Sequence, residues 1–61
     1  MTIKRTREIL RTEFGTRMYR ITGAGEIHVF GVMPNTTQEG WYLFGWVGDP
    51  YTDRLLEDLT R

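Results

Sequence analysis

The sequence contains no cysteine, no serine, one histidine (His28) and two prolines. Each scarcity removes a class of explanation. Without cysteine there is no disulfide to staple a small core and no thiolate to hold a metal. Without serine or cysteine the common acyl-transfer nucleophiles are missing, and a lone histidine cannot form a two-histidine metal site. The glycines of Gly23-Ala24-Gly25 lack the spacing and the following lysine of a phosphate loop. Asp53, Glu57 and Asp58 match no calcium-loop spacing. No metal, cofactor or enzymatic activity is therefore expected. No apolar run approaches the ~18 residues of a transmembrane helix. Met1-Thr2-Ile3-Lys4-Arg5 opens a charged segment without the apolar core of a signal peptide. The expectation is a cytoplasmic protein with no membrane partner.

A chain of 61 residues makes one domain, 1–61. At this size only about 60% of the unfolded surface is buried on folding, which leaves a marginal core. With disulfides and metals set aside, oligomerisation is the remaining staple. Eight basic and eight acidic residues balance, so no global field favours nucleic acid or an anionic membrane. The distribution is uneven. Residues 1–20 hold six basic residues against two acidic, a net of +4, and residues 21–61 hold two against six, a net of −4.

What the chain has in quantity is β-branched and aromatic sequence between Glu26 and Asp49. Ile27–Met33 and Trp41–Val47 read as two strands joined by the turn chemistry of Pro34–Gly40. Centring the loop on Thr37 pairs Met33 with Trp41, Gly31 with Leu43, Val29 with Gly45 and Ile27 with Val47. Those odd-numbered residues share one face, and its glycines leave room for a helix to approach. The even face then carries Val32 opposite Tyr42, Phe30 opposite Phe44 and His28 opposite Trp46. Thr16–Thr22 reads as a preceding strand. A turn centred on Ala24 pairs Tyr19 with Val29, Ile21 with Ile27, Arg20 with His28 and Met18 with Phe30.

Helices flank the sheet. Thr2–Phe14 carries an apolar stripe of Ile3, Thr6, Leu10 and Phe14, with Thr2 as N-cap and Gly15 past its end. Asp49-Pro50 starts a second helix, striped by Tyr51, Leu55, Leu56 and Leu59. Lys4, Arg5 and Arg7 crowd the positive end of the first helix dipole, while Glu57 and Asp58 stand at the negative end of the second. Both oddities are explained at once if the two helices pair their charges. The fold class is α+β, α-β-β-β-α, with a three-stranded antiparallel meander and both helices on the odd face.

The even face then exposes the row Phe30, Tyr42, Phe44 and Trp46, with His28 and Arg20 at its edge. Soluble monomers seldom leave a contiguous apolar patch of that extent bare. Burial by a second copy or by a partner protein is the primary reading, since Tyr and Trp anchor such interfaces. A helix covering this face as core is one competitor. Stacking of single-stranded nucleic acid is another, with Arg17 and Arg20 meeting phosphates and Lys4, Arg5, Arg7 and Arg11 offering a basic helix. The element order, with Gly25-Glu26-Ile27-His28 placing a histidine in the central sheet, resembles double-stranded-RNA-binding-like folds, including HicA-type toxins. That resemblance implies RNA binding and a ribonuclease role for His28. The favoured expectation is a non-catalytic protein-interaction module: a small regulator or inhibitor of the kind phages and plasmids carry, acting as a homodimer through Phe30, Tyr42, Phe44, Trp46, His28 and Arg20.

Overall fold

Helix formation begins where the sequence supplies a cap. Thr2 has extended backbone and its side chain accepts a hydrogen bond from the Arg5 amide at 3.1 Å, opening helix α1, Ile3–Glu13. Gly15 follows with φ +117°, the left-handed conformation that ends the helix at little cost in a residue without Cβ. The second helix, α2 (Pro50–Leu59), starts in the same manner: Asp49 Oδ2 accepts from the Thr52 amide at 2.9 Å, and Pro50 fills a position that needs no amide donor. Between the helices run β1 (Tyr19–Ile21), β2 (Glu26–Val32) and β3 (Glu39–Trp46). The computed structural model describes residues 1–61.

The strands form one antiparallel sheet in the order β1-β2-β3, so the α-β-β-β-α class and the meander hold. The β1–β2 register is the expected one, with Tyr19 opposite Val29, Arg20 opposite His28 and Ile21 opposite Ile27. β1 is shorter than Thr16–Thr22, although the Phe30 amide still donates to the Met18 carbonyl at 2.8 Å just before it.

The β2–β3 register differs from the expected one. Phe30 faces Trp41, Val29 faces Tyr42 and Gly31 faces Gly40, then a bulge at Phe44 brings Gly45 opposite Ile27 and Trp46 opposite Glu26. Two local causes act. Asn35 takes φ +64° in a tight loop closed by the Met33 amide donating to the Gln38 carbonyl at 2.9 Å, so Glu39 and Gly40 belong to the strand. The extra residue at Phe44 then shifts the alternation of β3.

Both helices lie on the side of the sheet that carries Ile27 and Val29. The core comprises Ile9, Leu10, Ile27, Val29 and Leu56, with Phe14, Tyr42, Phe44, Val47 and Leu59 packed around it. Burying each aliphatic side chain contributes about 1.5–3 kcal/mol.

The helices touch through this shared core, and their charges do not pair as expected. Arg5 meets Glu8 of its own helix at 3.5 Å and Arg61 meets Asp58 at 3.8 Å, while Lys4, Arg7 and Arg11 are exposed without an ion pair. The one ion pair between the N-terminal segment and α2 is that of the Met1 α-amine with Asp53 Oδ2, at 2.9 Å and largely screened from water. The other oxygen, Asp53 Oδ1, is buried with no hydrogen-bond partner. Asp53→Asn is expected to lower unfolding free energy by about 1.5–3 kcal/mol, the range for a hydrogen bond to a charged group. A shift of the urea midpoint at unchanged slope checks it.

Candidate functional site

The face of the sheet turned away from the helices is open. Its residues follow from the ladder: Arg20 on β1, His28, Phe30 and Val32 on β2, and Trp41, Leu43 and Trp46 on β3. Trp46 is 48% exposed, Leu43 43%, Trp41 39% and Val32 58%. The patch is ordered by its own contacts. The Phe30 and Trp41 rings meet edge to face at 5.8 Å, and the Arg20 guanidinium lies 4.6 Å from the Trp41 ring centroid. Those geometries are favourable by about 0.5–1 kcal/mol each at a site of this exposure. His28 Nε2 stands 3.6 Å from Glu26 Oε1.

Of the six residues expected on this patch, Phe30, Trp46, His28 and Arg20 are there. Tyr42 and Phe44 are not, and their placement on the open face is corrected. Both turn to the helix side, where they pack on the core, and Phe44 meets Phe14 edge on at 5.9 Å. The residues missed are Trp41 and Leu43, which the expected register had put under the helices. A single shift of phase made both errors. Gly45 stands on the helix side in both registers, so the error lies upstream of it, in the loop that sets the phase of Glu39–Phe44.

Gly45 and Thr52 form the joint between sheet and helix. A Cβ built on Gly45 would fall within the Thr52 side chain, 2.7 Å from Cγ2 and closer still to Oγ1. Thr52 Oγ1 accepts from the Trp46 amide at 3.1 Å and donates to Asp49 Oδ2 at 3.1 Å. The first turn of α2 is thereby fastened to the end of β3, and Trp46 is held beside it.

The charges of the face are mixed, Arg20 against Glu26 and Glu39, with His28 among them. The basic residues Lys4, Arg5, Arg7 and Arg11 are exposed on α1, in the layer behind the sheet, and Arg17 is exposed in the turn before β1. The structure does not bring them together with the aromatic rings. The surface holds no concave pocket, and no three acidic or histidine side chains gather as a metal site. No helix is long and apolar enough to cross a membrane. Comparison with models of known families, with curated proteins and with solved structures finds no match for this chain.

Proposed function

We propose that this chain is a non-catalytic protein-interaction module, a small cytoplasmic regulator or inhibitor, which forms a homodimer and offers its open sheet face to a protein partner. The observation that carries this reading is the contrast between a five-residue buried core and an opposite face that leaves two tryptophans, a leucine and a valine more than a third exposed. The accessible surface of 4458 Å² also exceeds the roughly 4,100 Å² of a folded monomer of this mass. Trp and Arg are the residues in which interface energy concentrates, and Trp41, Trp46 and Arg20 supply them here.

The second reading is single-stranded nucleic acid or RNA, with His28 as the proton carrier of a ribonuclease. The contact of Arg20 with Trp41 favours it, since an aromatic ring beside a guanidinium suits a stacked base and its phosphate. Glu26 and Glu39 on the same face weigh against it, because binding to a polyanion is driven by cations that displace counterions.

Light scattering behind size exclusion at several concentrations distinguishes the two. The expected mass rises towards twice 7.2 kDa, and single-stranded oligonucleotides leave the Trp41 and Trp46 emission unchanged. A monomer at every concentration, whose emission is quenched by oligonucleotide in a salt-dependent manner, would overturn the proposal in favour of the second reading.

A further inference from the structure

β3 is the long outer strand of the sheet, and its free edge has sharp limits. The Phe30 amide donates to Met18, so the polar backbone groups of Phe30 face β1. Trp41, opposite Phe30 in the ladder, therefore turns its own N–H and C=O outward, and alternation does the same for Glu39 and Leu43. Beyond the bulge the edge is closed, because the Trp46 amide is taken by Thr52 Oγ1. What remains open is Glu39–Leu43, a regular stretch ending where the bulge begins.

Edge strands of monomers are ordinarily guarded by shortness, proline, lysine, a bulge or a covering element. β1, the other edge, is guarded by its length of three residues. Glu39–Leu43 contains no proline, no lysine and no bulge, and its single charge is Glu39 at one end.

We propose that a second copy of this chain pairs its Glu39–Leu43 antiparallel with the same stretch, about a two-fold axis through Trp41. The two three-stranded sheets then become one of six strands. This deepens the homodimer reading above and rests on it. The axis position follows from charge and from the bulge. Centred on Trp41, each Glu39 faces Leu43 of the second copy, and the two carboxylates stand about 14 Å apart, beyond a Debye length at physiological salt. Centring on Gly40 roughly halves that separation, and centring on Glu39 sets the two carboxylates directly opposite one another. Centring on Leu43 runs the ladder into Phe44. Only the Trp41 register uses every residue of the free edge, making about six interchain hydrogen bonds. An axis perpendicular to the sheet leaves both open faces on one side, with the Phe30–Trp41 pairs of the two copies abutting at the centre of a platform twice as wide. An edge of this length buries less than the ~800 Å² per partner of a standard interface, so the dimer is concentration-dependent.

The test follows amide exchange by NMR in the full chain across a concentration series that spans the mass transition. The Trp41 and Leu43 amides are expected to gain protection in step with the dimer fraction, while the Trp46 amide is protected throughout. A synthetic chain carrying N-methyl Leu43 keeps every side chain, loses two interchain hydrogen bonds per dimer, and is expected to dimerise about 10–100-fold more weakly at unchanged circular dichroism. A dimer in which the Trp41 and Leu43 amides still exchange freely would overturn the edge pairing and place the second copy on the open face, leaving the homodimer intact. A monomer at every concentration would overturn both.

Discussion

Gly45→Ala is expected to unfold most of the population at room temperature, although it adds only one methyl group. The added carbon would enter the volume of Thr52, 2.7 Å from Cγ2 and 3.0 Å from Cβ. Thr52 cannot swing aside at low cost: it is 1% exposed, and its hydroxyl is held between the Trp46 amide and the Asp49 carboxylate. Relief requires α2 to lift from β3. Overpacking costs about 1–3 kcal/mol, and leaving the Trp46 amide without its partner adds about 1–3 kcal/mol. A core of this size rarely supplies more than about 3–5 kcal/mol, so the two terms together consume it. Urea unfolding followed by far-ultraviolet circular dichroism measures the effect. A midpoint close to that of the parent chain would mean that α2 is not seated on Gly45. The double variant Gly45→Ala/Thr52→Ala sharpens the test, because the coupling must be favourable if the clash is with Thr52 and near zero if it is not.

The parts of the fold that were legible in the sequence are those whose causes are local. Both helix starts were, because a cap is a local chemical statement: Thr2 before an apolar stripe, Asp49 before Pro50 and Thr52. The β1–β2 register was legible because its turn is short and rich in glycine, leaving one sensible centre. The β2–β3 register was not. Seven loop residues were compatible with several centres, and the outcome turned on Asn35 adopting a left-handed backbone. The bulge at Phe44 was less visible still. Nothing in the alternation of Trp41–Val47 announces an extra residue: the loop turns Gly40 and Tyr42 to the helix side, and only with an extra residue at Phe44 does Gly45 also lie on that side, beneath α2. The loop therefore carried two aromatic residues, Tyr42 and Phe44, across the sheet, and the bulge left Gly45 and Trp46 on the faces expected of them. The charges of the helices misled for a related reason. Opposite net charge is consistent with neighbouring helices, but the contact is made by apolar residues while long basic side chains remain in water, where an ion pair contributes little.

Phe44→Asp and Trp46→Asp, two positions apart on one strand, are expected to behave oppositely. Phe44 packs on Phe14 and on the core residues beneath it. Removing a large aromatic from such a site costs about 3–5 kcal/mol, and the carboxylate that replaces it faces apolar neighbours with no cationic partner. The chain should lose its helical signal at neutral pH. Trp46 has its indole on the open face, and its structural contribution is made by the backbone amide that donates to Thr52, which aspartate retains. Trp46→Asp should therefore unfold within about 0.5 kcal/mol of the parent, the range for surface substitutions. Its effect should fall on whatever the face engages, through the loss of one of the two exposed indoles. In the unshifted alternation, Phe44 and Trp46 would share the open face and the two variants would both remain folded. Circular dichroism of the pair therefore reads the phase of β3 directly. A folded Phe44→Asp together with a folded Trp46→Asp would return Tyr42 and Phe44 to the exposed patch and remove Trp41 and Leu43 from it. Loss of fold at Phe44 alone keeps Trp41, Leu43 and Trp46 beside Phe30 and Val32 on the open face, where a partner could reach them.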